Sequence, residues 1–414
     1  MNVLQLISSS GYYGAENVIV SLSEALERHN CRSVVGVFHQ TSQQNEELTR
    51  QAERRGLTVR RIACRGRWDF GAVRAIRDEV ERLKIDLIHT HGYKADIYGL
   101  LASRGLGLKR VSTCHLWTHD TIAVRFYEVL DSLFLRRFDA VVGVSEAIAD
   151  SLRRSGIRRS KIRLIDNGID VARFVRANPT LAEQINKGQK LAVGTVGRLV
   201  PQKGLEYYLQ AAREVLQVLP NLIFIIVGDG PDREKLENMA SALGIQQNVI
   251  FAGQCSDMPG AYASMDVFVL ASVDEGMPMV LLEALASKRA VVATQVGAVP
   301  RLIIPDRTGL LVAPRDVQAL KQAMLALLTD PALRSRLGNA GEALVRRSHS
   351  RDLMAENYLM LYRQIVSPGS VLAEEVKPRS PEMAWTKSSE SPAVSFRAIK
   401  DTLRETKTAK ETGQ

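Results

Sequence analysis

Cysteine is scarce in this chain of 414 residues: Cys31, Cys64, Cys114 and Cys255 stand far apart, and no two form a CxxC pair. Neither a disulfide framework nor a zinc knuckle can be read from that spacing, and a reducing compartment, the cytoplasm, fits it best. Long apolar runs are missing as well. No uninterrupted stretch reaches the roughly 18–20 residues needed to cross a bilayer, and Met1-Asn-Val-Leu-Gln-Leu-Ile7 lacks the basic segment of an export signal. The expectation is a protein that neither spans a membrane nor is exported. No internal repeat is visible beyond the general alternation described below.

What is present is ordinary globular composition, 45% hydrophobic and 24% charged. At roughly 100–200 residues per domain, the length predicts two to three domains, each able to bury its own core. The net charge of +10 is lopsided, with 26 Lys and Arg against 18 Asp and Glu in residues 1–165. Arg60-Arg61, Arg65-Gly-Arg67 and Arg153 to Lys161 are the densest pieces. They are read either as a surface for an anionic partner (nucleotide phosphate, lipid headgroup or nucleic acid) or as dispersed, solvated loops and helix faces.

Short apolar, β-branched runs alternate with stretches of helical length along the first 370 residues, the pattern of parallel sheets built from βαβ units. Strands are predicted near Val3–Ile7, Ser33–Phe38, Leu57–Ile62, Leu87–His89, Val111–Cys114, Ala140–Val144 and Arg163–Ile165. A second set follows near Leu191–Val196, Leu222–Val227, Val249–Phe251, Val267–Leu270, Ala290–Thr294 and Leu310–Val312. Ser145 caps a helix Glu146–Arg154 that Gly156 stops, and Leu205–Leu219 and Pro278–Ser287 are further helices. Asp166-Asn-Gly-Ile-Asp170 and the polar segment to Lys190 read as a connection between two similar halves. Open parallel sheets bind ligands outside the carboxyl ends of their strands, so a cleft between the halves is expected. From Pro368 to Gln414 the chain turns to Ser, Pro, Lys, Glu and Thr, the composition of a disordered tail.

Three constellations carry chemistry. Gly11-Tyr-Tyr-Gly14-Ala-Glu16 follows the first strand and opens a helix, where glycines permit close approach of a ligand or serve only a tight turn. In Val196-Gly-Arg198-Leu-Val-Pro-Gln-Lys203-Gly204, an Arg and a Lys five apart can converge on a diphosphate, or stand as two exposed loop cations. The spacing is not that of a Walker A loop. The third, Asp274-Glu275-Gly276-Met277-Pro278-Met279-Val-Leu-Leu-Glu283, places Pro278 in a helix's first turn and backbone amides at its N-terminus, an anion site. Glu283 falls inside that helix amid apolar neighbours, where an unpaired carboxylate costs several kcal/mol, so it must be paired or hold a ligand. A carboxylate suits a vicinal diol such as ribose, and Glu275 can take hydroxyls of a second sugar or satisfy the helix dipole.

Glu275-Gly-Met-Pro-Met-Val-Leu-Leu-Glu283 is similar to the two-glutamate motif of the retaining nucleotide-sugar glycosyltransferases of glycosyltransferase family 4. Val227-Gly-Asp-Gly-Pro231, Asn167-Gly-Ile-Asp170, Phe251-Ala-Gly253, Gly11–Glu16 and Arg198…Lys203 also match in order, over about residues 1–365. The resemblance implies a GT-B fold: two Rossmann-like, doubly wound parallel-sheet α/β domains facing a cleft. It assigns 1–170 to an acceptor-side domain, 171–350 to a donor domain and 351–367 to a helix returning to the first domain. Arg198 and Lys203 would hold the donor diphosphate and Glu283 the ribose. Phe251 and Gly253 would take the base edge, and Glu275 with the Gly276, Met277, Pro278 and Met279 backbone the donor sugar. Gly11 and Gly14 would line the donor site. His115, after a mid-domain strand, would contact the transferred sugar; His115, Glu275, Arg198 and Lys203 are the expected catalytic set. His89 and His91 share a strand face and could ligate a metal, but no third ligand is visible and the family needs none, so structural or acceptor-side roles are expected.

One departure stands out: Gly297-Ala298-Val-Pro-Arg301 has Ala and Arg where many relatives carry Gly and Glu. Ile122 to Phe138, rich in aromatics and Arg, reads as a core helix with Ile122, Phe126, Val129, Leu130, Leu133 and Phe134 in one stripe, or as a membrane-surface segment. The function implied is transfer of a hexose-type sugar from a nucleoside diphosphate sugar to a saccharide or lipid-linked saccharide. No metal or other cofactor and no nucleic acid are expected. The setting implied is the cytoplasm, with peripheral contact at an anionic membrane, in envelope or exopolysaccharide assembly. Alternatives are another GT-B nucleotide-sugar enzyme, such as a glucan or sucrose-phosphate synthase, and a non-catalytic polyanion-binding protein.

Overall fold

The computed structural model describes residues 1–9, 14–39, 46–66, 69–115, 132–183, 185 and 190–367. The chain divides into two units. Among the described residues, one comprises Met1–Asp170, the segment Gly276–Met279 and the chain from Ser348 to Ser367; the other comprises Val171–Glu275 and Val280–Arg347.

The strands of the first unit are β1 (Asn2–Ile7), β2 (Arg32–His39), β3 (Thr58–Ala63), β4 (Leu87–His91), β5 (Lys109–Cys114), β6 (Ala140–Gly143) and β7 (Ile162–Leu164). They pair in parallel in the order β3-β2-β1-β4-β5-β6-β7, with β1 flanked by β2 (Leu4 opposite Val34) and by β4 (Gln5 opposite His89). Val3, Leu4, Leu6, Val34, Ile88 and Val111 are buried because helices cover both faces, which is why the central strands carry apolar residues on both sides of the sheet rather than in strict alternation with polar ones. Helix ends are set locally. Asp69 accepts from the amides of Gly71 and Ala72 at the start of Phe70–Leu83, and Ser145 Oγ accepts from Ile148 N at the start of Glu146–Arg154.

The second unit holds β8 (Leu191–Val196), β9 (Leu222–Val227), β10 (Val249–Gly253), β11 (Val267–Leu270), β12 (Ala290–Thr294) and β13 (Leu310–Val312), all parallel in the order β10-β9-β8-β11-β12-β13. Its largest core cluster joins one sheet face, through Leu222, Phe224, Ile226, Val267, Val269 and Val292, to the helices Leu205–Leu216 and Val317–Thr329, around Tyr208, Leu320 and Met324. The first of these helices stops three residues short of the expected Leu219, since Pro220 disfavours helical geometry at the residue before it.

The helix Arg351–Val366 packs on Gly14–Arg28 within the first unit. Its Arg351 guanidinium is buried and bridges Glu24 Oε2 at 2.8 Å and Asp170 Oδ2 at 2.9 Å. Gly168 lies so close to Ser350 and Met354 that a Cβ would collide with both.

The Ile122–Phe138 reading needs correction where it is described. Leu133, placed in the apolar stripe, is exposed, whereas Leu135 and Phe138, outside it, are fully buried. The remainder of that segment up to residue 131, and the tail from Pro368, lie outside the described residues.

Candidate active site

In the second unit the strand order reverses between β8 and β11, and two loops leave the carboxyl ends of these neighbours, the usual ligand position of a doubly wound sheet. The loops are stitched together. Val273 N donates to Gln202 O at 2.8 Å. Gly204, at φ +58°, sits against the Ala271 carbonyl so closely that a side chain there would overlap it. A third loop, after β9, joins them: Leu199 N donates to Asp229 O at 3.0 Å and Asp232 N to Leu199 O at 3.1 Å. At φ +130°, Gly228 allows its backbone to lie on the Gly197 carbonyl, and its N–H donates to Gly253 O at 2.8 Å.

On this scaffold Lys203 Nζ donates to Glu275 Oε1 at 2.6 Å, and Ser272 Oγ donates to the same oxygen at 2.7 Å. The Glu275 side chain is only 7% exposed, so a cation and a hydroxyl together compensate its desolvation. Thr294 Oγ1 in turn donates to Ser272 O at 2.5 Å, fixing the loop from behind. Arg198 is exposed, and among the described residues no carboxylate lies within ion-pair distance of it. Arg198 and Lys203 thus share one loop, but Lys203 lies on a carboxylate.

Glu283 is buried in the helix Met279–Ala286, and Tyr262 Oη reaches its Oε2 at 2.9 Å. The paired reading of this carboxylate is therefore met, through a tyrosine from the helix Met258–Ala263. Burial, and after it the neighbouring carboxylate, push the Tyr262 hydroxyl well above its ordinary value, so it stays a donor. Gly276, Met277, Pro278 and Met279 lead into this helix, with both methionines buried. Phe251 and Gly253 lie on edge strand β10, where Arg233 Nη2 donates to Phe251 O at 3.4 Å. Ala298 is buried and Arg301 belongs to the short helix Val299–Leu302.

In the first unit, Gly14 opens the helix Gly14–Arg28; Gly11 lies outside the described residues. His115 follows β5 and belongs to a buried polar cluster with His89 and His91, both inside β4. His91 Nδ1 is 3.1 Å from His115 Nε2, and His91 Nε2 is 2.8 Å from Gln5 Oε1. His89 bridges Tyr362 Oη and Thr113 Oγ1, each at 2.7 Å, and Thr113 meets Tyr358 Oη at 2.9 Å. Burial lowers all three imidazoles, His115 to about 4 and the other two well below 6.5, so they are neutral at pH 7. Among the described residues, no three His, Cys, Asp or Glu side chains are grouped to hold a metal ion.

Within the dense basic pieces of this unit, Arg60 pairs with Glu79, Arg61 with Glu53 and Arg153 with Asp150, whereas among the described residues no carboxylate lies within ion-pair distance of Arg65, Arg154, Arg158, Arg159 or Lys161. Sequence reasoning missed Gln5, Tyr262, Ser272, Tyr358 and Tyr362. Gln5 carried a signal, a polar residue inside the apolar strand Val3-Leu-Gln-Leu-Ile7.

Two tandem doubly wound parallel sheets of this kind are the GT-B fold, and the comparisons with known proteins agree. A solved Anabaena protein, HepE in complex with UDP and glucose, superposes with a TM-score of 0.76 at 20% identity, over 87% of this chain and 98% of its own. The profile described as Glycosyltransferase Family 4 matches residues 12–173, and that described as Glycosyl transferases group 1 matches residues 178–344. The chain belongs to this family of glycosyltransferases. Curated relatives include an alpha-D-kanosaminyltransferase from Streptomyces kanamyceticus, 28% identical over 72% of this chain and 83% of the relative. Another is the Escherichia coli UDP-Gal:alpha-D-GlcNAc-diphosphoundecaprenol alpha-1,3-galactosyltransferase, 26% identical over 64% and 72%. No described helix is long and apolar enough to cross a membrane.

Proposed function

We propose that the chain is a retaining glycosyltransferase that moves a hexose-type sugar from a nucleoside diphosphate sugar to a saccharide or lipid-linked saccharide, without a bound metal. The observation that carries this reading is the loop cluster at the β8/β11 reversal, where Lys203, Ser272 and Glu275 converge and Arg198 stands exposed in the same loop. Glu283, held by Tyr262, is the carboxylate for the ribose hydroxyls, and Arg198 and Lys203 are the cations for the diphosphate. The backbone of Phe251 and Gly253 takes the base edge. Gly276 to Met279 present backbone amides, and Glu275 a carboxylate, to the sugar.

In the proposed reaction the C1–O bond of the donor breaks, and its electron pair leaves on the diphosphate. The acceptor oxygen bonds to C1 on the same face, and its proton passes to a departing phosphate oxygen. Arg198, Lys203 and the amides stabilise charge where it develops, which is how preorganised sites supply most of their rate enhancement. His115 contacts the transferred sugar. The Escherichia coli relative is named for a GlcNAc-diphosphoundecaprenol acceptor, which supports a lipid-linked saccharide as acceptor; peripheral membrane contact from the cytoplasmic side and a role in envelope or exopolysaccharide assembly belong to the same proposal.

The test is turnover of UDP-, GDP- and ADP-hexoses with soluble and polyprenyl-diphosphate-linked saccharides in the presence of EDTA, with the product anomer assigned by proton NMR. The α-anomer from an α-linked donor, formed in EDTA, is expected. A β-product, or turnover only after a divalent cation is added, would contradict the reading.

A further inference from the structure

Protons in the buried cluster of the first unit can be placed one by one, starting from a single amide. Gln5 is fully buried at the middle of β1; its Oε1 faces His91 Nε2 and its Nε2 donates to Tyr362 Oη at 3.5 Å. A carbonyl oxygen only accepts, so His91 Nε2 carries the hydrogen. Burial keeps His91 neutral, so its Nδ1 is bare and accepts from His115 Nε2–H at 3.1 Å. His115, neutral for the same reason, then has a bare Nδ1. That atom is buried and, among the described residues, has no hydrogen-bond partner. On the other side, Tyr362 Oη accepts from Gln5 Nε2 and donates its O–H to His89 Nδ1, so His89, neutral as well, carries its hydrogen on Nε2 and donates it to Thr113 Oγ1.

The opposite amide orientation reverses every member. It would leave His115 with a buried Nδ1–H that lacks an acceptor among the described residues, a more costly state than a bare lone pair.

We infer that Gln5, acting through His91, is a positioning residue that holds His115 in its Nε2–H tautomer, so that Nδ1 is presented as an acceptor to a hydroxyl of the transferred sugar. The last clause rests on the proposed transferase reading; the tautomer does not.

The test is a long-range proton–nitrogen correlation spectrum of the full chain labelled with 15N-histidine, at pH 7.5. The chain has seven histidines, and His115→Gln assigns the one in question. The expected wild-type pattern is protonated Nε2 and bare Nδ1 for both His91 and His115. In Gln5→Met, His115 is expected to average between tautomers. A protonated Nδ1 on His115 in the wild type, or an unchanged His115 pattern in folded Gln5→Met, would overturn the inference. If Gln5→Met does not fold, His91→Phe cuts the same relay one member later and carries the same two outcomes. With whichever UDP-, GDP- or ADP-hexose is turned over, Gln5→Met should lower kcat about tenfold at unchanged KM, the scale of one hydrogen bond. It should have no further effect in a His115→Ala background. A tautomer found as expected in a protein that turns over no nucleotide sugar would leave the positioning role standing and refute the transferase reading.

Discussion

Glu283 shows how much a single residue can disclose. A carboxylate among Val280, Leu281, Leu282 and Ala284 had to be compensated, and that much was legible from the sequence alone. Its partner was not: Tyr262 lies 21 positions away on another helix, in a stretch whose pattern is that of any buried helix. Likewise the Arg198–Lys203 loop announced cations, but only the fold reveals that Lys203 lies on Glu275 and shares it with Ser272. Two outcomes follow at this scale. Lys203→Met leaves a nearly buried carboxylate with a hydroxyl alone, and urea unfolding should show a loss of about 1–3 kcal/mol. Glu283→Gln, which keeps the shape, should change stability by less than about 1 kcal/mol while weakening nucleotide-sugar binding about tenfold in calorimetric titration.

Elements were the most legible level, for a physical reason. Parallel strands covered on both faces are rich in apolar, β-branched residues, and all were legible from that enrichment, from Val3–Ile7 to Leu310–Val312, although β1, β3, β4, β5 and β7 each carry polar residues inside the run. The ends were less so. β4 runs on to His91 rather than stopping at His89, because its histidines are satisfied inside the sheet by Gln5, Thr113 and Tyr362, partners that local pattern cannot reveal. Between elements, the tight loops depend on backbone contact. Gly204→Ala combines a left-handed φ with overlap on the Ala271 carbonyl, and Gly228→Ala with overlap on that of Gly197. Each should lower stability by roughly 1–3 kcal/mol, seen as a drop in melting temperature. A neutral result at both would mean that the loops are not held together as described.

For the whole molecule, the sequence revealed two sheets in tandem, and the family profiles cover both. It did not reveal that the helix Arg351–Val366 supplies Tyr358 and Tyr362 to the histidine cluster of the first unit, since those contacts span more than 240 positions. Burial keeps His89, His91 and His115 neutral in the folded chain, so below the ordinary histidine value of 6.5 the unfolded chain binds more protons. Stability present above that pH should therefore be lost as the pH falls from 6.5 towards 4, visible as a lower urea midpoint at pH 5 than at pH 7.5.

The most direct measurement is the melting temperature of wild type and Glu283→Ala with UDP-, GDP- and ADP-hexoses in EDTA. A ligand at about 100 times its dissociation constant adds about 2.7 kcal/mol. One nucleotide series should raise the wild-type transition and leave Glu283→Ala unmoved. Equal shifts in both proteins, or none with any series, would contradict the assignment of the β8/β11 loops and Glu283 to the nucleotide sugar.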